Sequence, residues 1–164
     1  MDLTDKIRGN REFKSCMERI DTFEKERVFC KHDMEHLLSV ARIAYCINLE
    51  RDLGLSKDLI YSAALLHDIG RARQYETGQP HHRAGAEISR EILADCGASK
   101  EETELIIDAI NSHRGKGGQK EPSPLPTLAQ LIKEADNLSR ACFDCKARSE
   151  CKWDHDRMNL NIEY

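Results

Sequence analysis

Apolar positions recur every three or four residues along most of the chain, and no segment sustains the two-residue alternation of a half-buried strand. The pattern predicts an all-α domain. Residues 10 to 28 read as a first helix, with Phe13, Met17, Ile20 and Phe23 on one face and a solvated face of Arg, Glu and Lys opposite, from which no chemistry is expected. Asp33 is placed to cap a longer helix running to about Arg51, striped by Leu37, Val40, Ala41, Ile43, Ala44 and Ile47. Gly54 stops it, and Ser56 caps a third helix whose apolar run, Leu59 to Leu66, leads into His67-Asp68-Ile69-Gly70. Residues 74 to 80 read as a loop broken by Gly78 and Pro80. A helix opens at His81 and closes at Gly97, and Ser99 caps the next, striped by Leu105, Ile106, Ala109 and Ile110. Residues 114 to 126 form the one long loop, rich in Gly and Pro. A last helix from Thr127 carries Leu128, Leu131, Ile132, Ala135 and Leu138.

Histidines and aspartates interrupt these apolar stripes where a core residue would stand. His36 lies four residues before Val40, His113 three beyond Ile110, and Asp136 four beyond Ile132. His67 and Asp68, adjacent on one helix, lie about 100° apart and can lean toward one cavity. His81 opens a helix, with His82 beside it as a competitor, and His81 is preferred for its four-residue spacing to Gly85. His32, one turn before His36, is expected nearer the surface. Burying several ionisable groups together is costly unless a cation pairs with them, and a divalent metal supplies that charge. Arg71 and Arg73 follow the His-Asp pair, where a guanidinium suits an anionic oxygen ligand; for Arg73 an exposed helix-end cation explains as much.

Composition narrows the partners. The chain has 164 residues, enough for one domain with a real core, and 33% charged against 40% apolar residues. A net charge of −4 gives no reason to expect a nucleic-acid polymer. No apolar run approaches the roughly 20 residues of a membrane span, and the polar start Met1-Asp2-Leu3-Thr4 has no signal-peptide core. A cytoplasmic protein is expected, with its seven cysteines as thiols or metal ligands. The domain reads as a helix over 1–28, a metal-binding body over 29–141 and a cysteine-containing tail over 142–164.

The pieces Glu35-His36-Leu37-Leu38-Ser39-Val40-Ala41, His67-Asp68-Ile69-Gly70-Arg71 and Ala135-Asp136-Asn137-Leu138, in that order, resemble the HD superfamily of metal-dependent phosphohydrolases over about residues 29 to 141. The resemblance implies a bundle of about six to seven helices with a divalent metal on His36, His67, Asp68 and Asp136. His81 and His113 match the two-metal branch of small stand-alone HD proteins, similar to dinucleoside-tetraphosphate hydrolases, in which Asp68 would bridge two ions. The branch cleaving cyclic dinucleotides carries His-His and Gly-Tyr-Pro motifs, and here Arg114-Gly115-Lys116 follows His113. The deoxynucleotidase branch resembles His-Asp-x-x-Glu, and here Arg71 stands at the Glu. The expected activity is therefore cleavage of a phosphoester or phosphoanhydride of a nucleotide-like substrate by water activated at the metal. Asp68 and Arg71 are its catalytic candidates, and Fe, Mn, Co, Ni or Zn suits the histidine-rich set. A metal-containing nucleotide-binding module with little turnover is the alternative.

Beyond Asp136 stand Cys142, Cys145 and Cys151, a Cys-x2-Cys-x5-Cys run one ligand short of a tetrahedral site. Cys30, just before the His36 helix, is the fourth candidate, with His155 as the alternative. A structural zinc or an iron–sulfur cluster there would pin the polar tail onto the domain. Cys16, Cys46 and Cys96 are given no role.

Overall fold

The computed structural model describes residues 2–112 and 127–164, and among them it is all-α, with no strand. His113 and the 114–126 loop lie outside the described residues. The helices are α1 (Asp2–Gly9), α2 (Arg11–Phe23), α3 (Met34–Glu50), α4 (Lys57–Leu66), α5 (Arg71–Thr77), α6 (His81–Cys96), α7 (Lys100–Ser112) and α8 (Leu128–Leu138). Short 3₁₀ turns follow at Cys142–Asp144, Arg148–Glu150 and His155–Arg157.

Capping chemistry sets most starts. Asp33 accepts from the His36 amide, Ser56 from Leu59, and Thr127 and Gln130 form a reciprocal capping box. Ser99 and Glu102 exchange the same pair of bonds, at 3.1 and 2.8 Å. Gly78 and Gly97 close α5 and α6 at positive φ, 77° and 75°.

The expected first helix divides into α1 and α2, with Asn10 capping the second, and α2 ends at Phe23 rather than near residue 28. α1 is only eight residues long, and its start is capped from elsewhere. The Asp58 carboxylate, in the first turn of α4, accepts from the Leu3 and Thr4 amides at 3.0 Å each. Residues 71–77, expected in part as a loop, form α5. α4 also stops at Leu66, so His67 to Gly70 form a turn between α4 and α5 instead of continuing the helix.

The core is one cluster. α3 packs on α4 and α8, α7 on α6 and α8, and α5 on α2 and α6. Fully buried Leu37, Val40, Ile60, Leu66, Ile110 and Ile132 draw the layers together. This packing places the start of α3, the α4–α5 turn, the start of α6 and the end of α8 around one point.

Candidate metal centre

Asp68 lies at that point, 3% exposed at its side chain. Its Oδ2 faces His67 Nε2 at 3.4 Å, His32 Nε2 at 3.7 Å and His36 Nε2 at 3.8 Å. Asp136, near the end of α8, turns Oδ1 to His36 Nε2 at 3.5 Å and His67 Nε2 at 4.0 Å. Ligand atoms of His36, His67 and Asp68 all lie within 4.8 Å of one another.

These separations test whether the residues suit an ion. Donors about 2.1 Å from one shared ion lie roughly 3.0–4.2 Å apart, depending on the angle between them. The four distances among His36, His67, Asp68 and Asp136 fall in that range. The proton positions agree. His67 Nδ1 meets Ala64 O at 2.7 Å. A carbonyl can only accept, so Nδ1 carries the proton and a neutral ring turns the lone pair of Nε2 toward the carboxylates. Ser139 Oγ donates to Asp136 O at 2.8 Å, which leaves its oxygen to accept from His36 Nδ1 at 3.4 Å. His36 Nε2 is buried and makes no hydrogen bond among the described residues. Lone pairs and carboxylate oxygens that converge in this way suit a cation, and His36, His67 and Asp68 could hold a divalent metal.

The titration behaviour has the same cause. Burial, followed by the neighbouring His67, pushes His36 down to about 4, against the pull of Asp68 and Asp136. Burial also opposes charge on His67, but Asp68 and Asp136 outweigh it and raise its pKa.

The other oxygen of Asp68 serves different neighbours. Oδ1 accepts from Arg71 Nε at 3.0 Å and faces His81 Nε2 at 3.7 Å. Gly70 makes this approach possible. A Cβ there would lie 2.0 Å from His81 O and 2.3 Å from Gly85 N, so only glycine lets the turn seat against the first turn of α6. His81 is buried at this contact. His82 is half-buried, and its ring lies edge-on to that of His81 at 5.9 Å.

His32 corrects an expectation, since it is buried rather than near the surface. Glu24, the residue closing α2, holds it. Glu24 Oε2 accepts from the His32 amide at 2.7 Å, Oε1 lies 2.5 Å from His32 Nδ1, and Tyr75 on α5 donates to Oε1. These hydrogen bonds bring the Glu24 carboxyl down to about 2 although its burial alone would raise it. The first helix thus contributes to the centre, although its pattern in sequence marked it as inert. A glutamate immediately past the last apolar stripe residue was the available signal, and it carries meaning only once His32 is seen beside it.

Two cavities open beside the centre. One, of about 390 Å³, is lined by Arg27, His32, Arg71, Arg140, Lys152 and Trp153, among others. Arg140 and Arg157 stack on Trp153 at 4.0 and 4.7 Å, and Arg140 also reaches Asp136 Oδ2 at 3.2 Å. The other, of about 420 Å³, runs from His36 to Cys30, Cys142, Cys145 and Cys151. His155 is exposed and does not line it.

Fold and site define an all-α protein in which histidines and aspartates from separate elements come together as a candidate metal centre. Residues 33–141 match the HD domain model, and the chain belongs to the HD domain family. It is 44% identical to an uncharacterised protein of Clostridium beijerinckii over the full length of both chains. It is also similar to ribonuclease Y of Oleidesulfovibrio alaskensis, 32% identical over 69% of this chain, and of Aquifex aeolicus, 36% identical over 64%. The chain spans only 19% and 17% of those two proteins. A predicted HD superfamily hydrolase from an uncultured Thermotogales bacterium, known from a crystal structure, shares the fold. Its TM-score is 0.63 and its identity 23%, over 91% of this chain and 80% of that one.

Proposed function

We propose that this chain is a metal-dependent phosphohydrolase acting on a nucleotide-like phosphoester or phosphoanhydride. HD family membership supports metal-dependent hydrolysis in general. The observation that carries the reading is the convergence of His36, His67, Asp68 and Asp136 at 3.4 to 4.0 Å. These four residues would hold a divalent transition metal, and His81 would serve a second ion on the Oδ1 side of Asp68. An ion bound there would bring the pKa of water toward about 7 and withdraw charge from a phosphoryl oxygen.

The chain's own residues account for the rest. Arg71, tied to Asp68 through Nε, lines the adjacent cavity with Arg27, Arg140 and Lys152. Four cations there suit phosphate oxygens, and the Trp153 ring at the same wall suits a base or another flat group. This pairing of cations with an aromatic ring favours a nucleotide over a simple phosphate ester. No described helix is long and apolar enough to cross a membrane, and a cytoplasmic setting accords with seven cysteines outside any disulfide.

The test is a panel of mono-, di- and dinucleoside polyphosphates, with simple phosphate esters and a short RNA as comparators. It uses full-length protein stripped with chelator and reloaded with Mn, Fe, Co, Ni or Zn. Hydrolysis restored by metal and reduced at least about a hundredfold in Asp68→Asn supports the reading. Metal-independent turnover, or full activity in Asp68→Asn, overturns it. Tight nucleotide binding without product under every metal would favour the regulatory module.

A further inference from the structure

The cysteines near the tail take no part in the histidine–aspartate chemistry, yet they converge. Cys142 opens a 3₁₀ turn, and the Cys145 amide closes it onto Cys142 O at 3.3 Å. In such a turn residues three apart eclipse, so both thiols leave from one side. Arg148 and Cys151 repeat the arrangement one turn later, at 3.2 Å. Cys30 arrives from the loop before α3, more than a hundred residues away in sequence. All four cysteines line the cavity of about 420 Å³, together with Lys31, Arg140 and Arg148. Cys30 keeps solvent contact as a residue, but its thiol is pushed up, by partial desolvation first and then by Cys142 and Cys145, with Arg140 opposing.

A second observation is independent of the thiols. Of residues 142–164 only Ala147 is buried, while Phe143, Ile162 and Tyr164 are exposed. Asn159 anchors the far part of the tail through Asn137 O and Arg140 O, at 2.6 and 3.0 Å. No apolar core holds the segment between, and a segment of this kind needs a covalent or metal staple to keep one shape.

The spacing selects the staple. Around a single zinc, thiolate sulfurs sit about 3.7 Å apart; around a four-iron cluster they sit roughly 6 Å apart. No three of the cysteine sulfurs lie within 4.8 Å of one another among the described residues. We infer that Cys30, Cys142, Cys145 and Cys151 ligate an iron–sulfur cluster of the four-iron type. The cluster ties the tail to the start of α3 and fixes the cavity wall beside His36. Thiolates around such a cluster leave a net negative charge, and Lys31, Arg140 and Arg148 stand where they balance it.

The experiment measures acid-labile sulfide, iron and visible charge-transfer absorption in full-length protein reconstituted anaerobically with ferrous iron and sulfide. The expected result is about four sulfides per chain. Cys30→Ala and Cys145→Ala should lower this at least about fivefold with unchanged helical circular dichroism, and Cys30→Ser provides a second variant if the alanine fails to fold. Cys46→Ala, an exposed α3 position off the cavity, should leave it unchanged. Asp68→Asn should keep the sulfide, because iron at the histidine–aspartate centre brings none. A chain that takes up no sulfide, one that binds a single zinc at these cysteines instead, or a folded Cys30→Ala with full sulfide content overturns the assignment.

Discussion

At the scale of single residues, the centre depends on two positions outside the candidate ligand set. Gly70 is one, because its missing side chain is what lets the His67-Asp68 turn touch α6. Gly70→Ala drives a methyl group into backbone atoms that cannot move aside as a flexible side chain would. We expect a loss of at least about 2 kcal/mol, read as a lower urea midpoint, together with weaker metal uptake. Glu24 is the other. Its carboxyl titrates near 2 in the folded chain against an ordinary 4.5, so the folded state holds fewer protons than the unfolded one between those values. Its stabilisation is complete above about pH 4.5 and is lost as pH falls toward 2. Urea midpoints measured across that window should show the advantage of wild type over Glu24→Gln shrinking as the solution is acidified. An advantage that does not change with pH would rule out the Glu24 carboxylate as its source.

At the scale of elements, α1 and α3 are capped in different ways, and the difference explains what could be read in advance. Asp33 caps α3 from within its own sequence, so the helix, its start and the inward stripe bearing His36 were legible. The same holds for α8 and Asp136, where the apolar stripe from Thr127 marks the helix and a local capping box sets its start. α1 is capped by Asp58, a residue of α4, and no local pattern encodes that. Asp58→Ala should therefore unlock α1 while leaving α4 in place. Faster amide exchange at Leu3 and Thr4 and a loss of about 1–3 kcal/mol are expected. The His67-Asp68 turn was misread as helix because an apolar run does not reveal where it stops. The Glu24–His32–Tyr75 contact joins α2, a loop and α5, and a stripe analysis treats these separately. His113, expected from its stripe, lies outside the described residues.

At the scale of the whole molecule, electrostatic contacts differ sharply in what they contribute. The Arg51–Glu134 pair joins α3 to α8 at 2.6 Å, but both side chains are well exposed, at 43% and 36%. Water screens such a pair, and Arg51→Ala should leave the urea midpoint nearly unchanged. The buried centre should behave otherwise. An ion that binds only the folded chain adds about 2.7 kcal/mol at a hundredfold excess over its dissociation constant. Titrating Mn or Co into chelator-stripped protein should raise the melting temperature, and Asp68→Asn should remove the rise. The centre also joins residues a hundred positions apart, since His36 stands at the head of α3 and Asp136 near the end of α8. A growing polypeptide therefore carries the His36, His67 and Asp68 side chains without their fourth partner until Asp136 has been made. A fragment interrupted before α8 would lack Asp136 and, with it, one wall of the candidate metal centre.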